Sequence, residues 1–174
     1  MFDKLLDFLI SIWKELLPFI IINHYERGVR LRLGKVKSPD LEPGIHFKIP
    51  FADKILTSII TQDTLNIAPV SVTTIDNKTI SVGGVVEFNI SDIRAYIIDT
   101  NEARSNMHDI SRCIMADYLT DCTWEECKDK KTTRTITRLL AKKCEVMGIE
   151  VTGFTLSDMS MSRVIKLISD KNIF

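Results

Sequence analysis

Four cysteines and three histidines are the side chains in this 174-residue sequence best suited to hold a metal or to act as nucleophile and base. Cys113, Cys122, Cys127 and Cys144 all fall in the C-terminal half, in segments that read as mainly helical. A disulfide-stapled secreted domain is denser in cysteine and carries it in loops. These four therefore read as buried or half-buried free thiols of a reducing compartment. A structural zinc site needs close Cys or His pairs, whereas Cys122 and Cys127 stand five apart and His108 is distant. His24, His46 and His108 are scattered, and His46 reads as a surface residue of a strand rather than a base. No Ser or Cys sits in a nucleophile motif, and no Lys-Ser/Thr follows Gly83-Gly84 as a phosphate loop requires. Glu125-Glu126 with the run Lys128 to Lys131 reads as a solvated helix face. No catalytic set, metal or cofactor is expected.

The chemistry that remains is that of a membrane surface. Residues 1–22 read MFDKLLDFLISIWKELLPFIII. At about 100° per residue, Asp3, Lys4, Asp7, Ser11, Lys14 and Glu15 share one arc of roughly 120°. Phe2, Leu5, Leu9, Trp13 and Leu16 lie among the apolar residues that fill the rest. Pro18 interrupts the pattern, and Phe19 to Ile22, with Ile21 at its centre, is a short apolar run. Charges recurring through the first turns argue against a straight span, which needs about 20 mostly apolar residues. A secretory signal fits poorly, since the start carries acids and no small-residue cleavage site follows. The leading reading is an interfacial or re-entrant helix with Trp13 at headgroup depth. A true span and a helix packed on the protein's own core stand as alternatives. Arg27, Arg30, Arg32, Lys35 and Lys37 follow against only Glu26, a bias that favours the cytoplasmic side and anionic headgroups.

The elements that would position these residues come next. Tyr25 to Leu33 alternates as a strand, Gly34 to Glu42 reads as a loop, and Pro43-Gly44 is a turn. Ile45, Phe47 and Ile49 then share one face of a strand stopped by Pro50. Residues 53–72 are rich in β-branched side chains, and a second strand follows Asp76-Asn77, with Gly83-Gly84 marking a bulge or a close approach. From residue 91 the texture becomes helical. Ser91 or Asp92 caps a short helix, and Asn101 to Leu119 forms a longer one. Thr123 and Glu126 have capping-box spacing, and Gly148 suits a helix C-cap. IEVTGFTL closes as a strand, and a short helix is expected from Met161 to Asp170. Strands, then helices, then one more strand make an α+β domain. The expected division is an anchoring helix over 1–23, a domain over 24–160 and a short helix over 161–174.

With 45% hydrophobic and 26% charged residues and no net charge, the chain holds one domain with appendages and no basic excess for nucleic acid. In order and at similar spacings, ERGVRLRLGKV, LEPGIHFKIPFADKI, TIDNKTISVGGVVEFNISDI and MGIEVTGFTLSDM resemble the SPFH or band 7 family of stomatins, prohibitins, flotillins and their bacterial relatives. The resemblance covers Tyr25 to Met159. It implies a membrane-anchored α+β domain that assembles side by side and modulates membrane proteases, channels or lipids, without enzyme activity of its own. It also places the Pro43-Gly44 turn near the membrane, with Ile45, Phe47, Ile49, Pro50 and Phe51 as either secondary insertion points or plain core. The long coiled-coil helix of most family members is not found in the residues after Met159, so smaller homo-oligomers, or mixed assembly with a longer relative, are expected. Arg27, Arg30, Arg32 and Lys35 are the expected contacts to headgroups or to a subunit edge.

Overall fold

A computed structural model describes residues 18–161. Eight strands and three α-helices form two layers with separate cores. The first layer holds β1 (Phe19–Ile22), β2 (Glu26–Arg32), β3 (Lys35–Leu41), β4 (Gly44–Phe47) and β5 (Asp53–Ile59). Strands β3-β2-β5 form one antiparallel sheet, and β1 with β4 forms a separate two-stranded ribbon. Buried Ile22, Val29 and Leu41 make a small core here. Gly28 lets the β2 backbone approach, since a Cβ there would stand 3.2 Å from both Ile22 and Leu56.

The second layer is built on β6 (Asp63–Thr73), β7 (Thr79–Ile90) and β8 (Ile149–Met161), antiparallel with β7 central. Helix α1 (Ala103–Thr120) packs over β6, and α3 (Lys130–Cys144) over β8. Between them lies the one-turn α2 (Trp124–Cys127). The main core unites Ile80, Val82, Val86 and Phe88 of the sheet with Met107, Met115 and Leu119 of α1 and Ile136 and Leu140 of α3.

Local chemistry explains most boundaries. Asp92 accepts the backbone N–H groups of Arg94 and Ala95 and starts a π-helical turn at Ala95–Asp99. Thr123 and Glu126 form a reciprocal capping box. Gly148 takes φ 70° after a 3₁₀ turn, and a Cβ there would meet the Asp92 carbonyl oxygen at 2.1 Å. The β7–β8 register shifts between Gly83 and Gly84, and the Phe154 ring occupies the space of a Gly84 Cβ.

Three expectations differ from the structure. Residues 35–41 are a strand rather than a loop: with polar side chains on both faces, β3 is an edge held to β2 by backbone bonds, and Pro39 sits at a register shift where its missing N–H is tolerated. Phe19–Ile22 is strand β1 rather than the end of an anchoring helix over 1–23, because its backbone pairs with β4. Strand β8 runs through Met161, paired with Ile80, so no helix begins at 161. Phe2, Leu5, Leu9, Trp13 and Leu16, and the helix expected beyond Met161, lie outside the described residues. Among the described residues no helix is long and apolar enough to cross a membrane.

Candidate membrane-facing surface

Strand alternation places Phe19 and Ile21 on one face of β1, and Ile45 and Phe47 on one face of β4. The antiparallel register sets Phe19 opposite Phe47 and Ile21 opposite Ile45. The Lys48 N–H extends the pairing to the Pro18 carbonyl at 2.7 Å. Among the described residues no element covers this face. Exposure is 50% at Phe19, 63% at Ile21, 75% at Ile45 and 66% at Phe47. Among the described residues, Ile45 and Phe47 are therefore not packed in a core. The opposite face, with half-buried Ile20 and buried Ile22, points into the first layer. Pro43 precedes Gly44, whose φ of 138° only glycine adopts readily and which opens β4.

Two further apolar side chains stand beside this ribbon. Leu33, at the β2–β3 turn, and Phe51, between β4 and β5, both have positive φ, 48° and 65°. Each costs about 1–3 kcal/mol of backbone strain for a bulky residue. The Leu33 N–H donates to the Ala52 carbonyl at 2.9 Å, which joins the two turns. Leu33 is 79% and Phe51 85% exposed. Pro50 is half-buried between exposed Ile49 and Phe51. Leu33 escaped sequence reasoning because it continues the apolar alternation of β2, a pattern that signals burial.

Charges sort with the layers. Residues 18–60 carry seven Lys and Arg against four Asp and Glu, and residues 61–161 carry eleven against fifteen. The expected headgroup residues divide. Arg27 is held by Asp40 at 2.6 Å, and Arg32 grips Asp53 through Nε at 2.7 Å and Nη2 at 3.0 Å. The Arg32 hydrogen bonds, with the Ile49 N–H, bring the Asp53 carboxyl down to about 2. Arg30 lies mid-strand with its Nε buried and unpartnered. Lys35 is exposed on β3 and makes no ion pair among the described residues.

The potential chemical side chains are disposed differently. Cys122, Cys127 and Cys144 are buried and Cys113 is exposed, all with free thiols. Burial pushes Cys127 and Cys144 up to about 11, which keeps them as unreactive thiols. His46 is half-buried, with Nε2 at 2.7 Å from the Glu42 carbonyl oxygen. Among the described residues no three His, Cys, Asp or Glu side chains gather to hold a metal.

Comparison with known proteins adds ancestry to this geometry. The model of the SPFH domain / Band 7 family matches residues 20–171, beginning within β1. Mouse stomatin-like protein 3 is 27% identical over 158 residues, covering 89% of this chain and 54% of that protein. An uncharacterised protein of Methanocaldococcus jannaschii is 22% identical over 149 residues, 84% of this chain and 74% of its own length. The modulator of FtsH protease HflC of Escherichia coli K12 is 31% identical over 86 residues, 46% of this chain and 26% of that protein. The chain thus spans about half the length of the stomatin-like relative and a quarter of the protease modulator. A family match over most of the chain, on strands and helices in the order described, makes this protein a member of the SPFH domain / Band 7 family.

Proposed function

We propose that this protein is a membrane-attached scaffold that self-associates on the bilayer and organises proteins or lipids there. The observation that carries the reading is the uncovered apolar face of the β1–β4 ribbon. Among the described residues, nine of the fourteen exposed large hydrophobics fall between Phe19 and Phe51. Such clustering on one end marks an interaction surface rather than scattered exposure. Each ribbon side chain gains about 1–2 kcal/mol on leaving water, as an upper figure for partial burial. The basic excess of the first layer matches an anionic leaflet, while the second layer carries an acidic excess. Residues 1–17, which precede the ribbon in sequence, carry an amphipathic pattern, and the positive bias after Ile22 suits the cytoplasmic side.

The similarity to the protease modulator favours a second reading, an adaptor that docks on a membrane protease or on a longer family member. Light scattering and negative-stain imaging of the chain in mild detergent separate the two. Rings or large closed particles support the scaffold. A monomer or dimer that co-purifies with one dominant partner at fixed stoichiometry supports the adaptor and removes the scaffold.

A further inference from the structure

Beneath the ribbon lies a cleft of about 560 Å³ that the membrane reading does not use. Its volume is in the range of small-ligand sites. Apolar residues contribute to its lining: Ile20 from the back of β1, Leu31 from β2 and Ile55 from β5. The strained, exposed Leu33 and Phe51 also line it. Lys48 and Lys54 also line it, and neither forms an ion pair or side-chain hydrogen bond among the described residues. Asp53 is the one acid in the lining, and its carboxylate is fully covered and committed to Arg32 and the Ile49 N–H. Two lysines therefore line the cleft, and among the described residues it has no accessible carboxylate to neutralise them.

We propose that this cleft is a headgroup site for the phosphate of an anionic phospholipid, with Lys48 and Lys54 as its cationic ligands. The proposal rests on the membrane-facing reading of the ribbon and adds a specific lipid contact to it. Continuity selects lipid as the occupant. Ile20 lines the cleft while its chain neighbours Phe19 and Ile21 form the apolar face, so one strand borders both the headgroup and the acyl region. Leu33 and Phe51 would enter the interface beside the phosphate, and the lysine stems can lie along apolar surface with their charges at headgroup level. Strain at two adjoining bulky residues is a feature of ligand clamps. Arg27 and Arg32, the cations that spacing alone suggests, are occupied by Asp40 and Asp53.

The test is binding of the full chain to vesicles of phosphatidylcholine and to equimolar phosphatidylcholine and phosphatidylglycerol. The expected result is a preference for the anionic vesicles that Lys48→Gln with Lys54→Gln reduces about tenfold more than Lys35→Gln with Lys37→Gln does. The second pair should lose only the generic share, about fivefold per lysine. Lys48→Arg with Lys54→Arg should restore the preference. Equal losses from the two glutamine pairs would overturn the site, as would an unchanged preference. Saturable binding of inorganic phosphate by the full chain, with no preference for the anionic vesicles, would assign the cleft to free phosphate and overturn the lipid. Ile21→Ser with Phe47→Ser isolates the other reading. If that variant binds both vesicles normally while the lysine pair still abolishes the preference, the apolar-face reading fails and the headgroup site stands.

Discussion

At the scale of single residues, two glycines and two acids make sharp predictions. A Cβ at Gly84 would stand 2.7 Å from the Phe154 ring, which is buried between sheet and helices. Gly84→Ala should cost about 1–3 kcal/mol by overpacking, read as a shifted midpoint in urea denaturation. Gly148→Ala should cost more, because it adds a left-handed backbone to a 2.1 Å clash with the Asp92 carbonyl. Asp53 and Asp76 both titrate at about 2, the first held by hydrogen bonds from Arg32 and Ile49, the second by hydrogen bonds from Lys78 and Thr74. Their folded values lie below the unfolded value of about 3.9, so the unfolded chain binds protons first as pH falls. Their stabilising contribution is complete above about pH 4 and is lost as pH falls towards 2. Urea midpoints measured across that window should drop, and Asp53→Asn should flatten the drop while lowering stability at neutral pH. An unchanged slope in Asp53→Asn would remove the Arg32 pair from the account.

At the scale of elements, the β1–β4 ribbon and the main core make opposite demands. Two strands alone are marginally stable in water, and this ribbon has one face on Ile22 and Ile20 and the other open. Ile21→Ser and Phe47→Ser should therefore change folding stability by no more than about 0.5 kcal/mol, while vesicle flotation falls. Leu140→Ala, in the helix that covers β8, should cost about 2–5 kcal/mol and leave flotation of the folded fraction intact. A large stability loss in the ribbon variants would show that something covers this face. The ribbon was half legible. Alternation in IHFKI located β4 and grouped Ile45 with Phe47, but the same alternation describes a buried strand. Phe19–Ile22 is four residues of unbroken apolar sequence after a proline, and no local signal separates a strand there from the end of a helix.

At the scale of the whole molecule, the separate cores predict unequal stability. The first layer closes on Ile22, Val29 and Leu41, whereas the second unites a three-stranded sheet with two long helices. Regions with few buried apolar groups open at lower free energy. Native-state hydrogen exchange should show amides of β2 and β5 opening at lower free energy than those of β7. Equal protection throughout would mean that the layers unfold as one cooperative unit.

Local chemistry in the sequence determined the order of strands, helices and closing strand, the Thr123–Glu126 cap, the Gly148 stop and the Gly83-Gly84 bulge. Each of these depends on neighbours a few residues apart in the chain, or on a backbone geometry that one residue type allows. The tertiary structure alone decided that Ile45 and Phe47 are uncovered among the described residues, that the turns carrying Leu33 and Phe51 are joined by a backbone hydrogen bond, and that Arg27 and Arg32 are spent on Asp40 and Asp53. It also left Lys48 and Lys54 lining one cleft. The physical reason is the same in each case: whether an apolar face is covered, or a charge is matched, depends on segments brought together from distant parts of the chain, and periodicity carries no record of them.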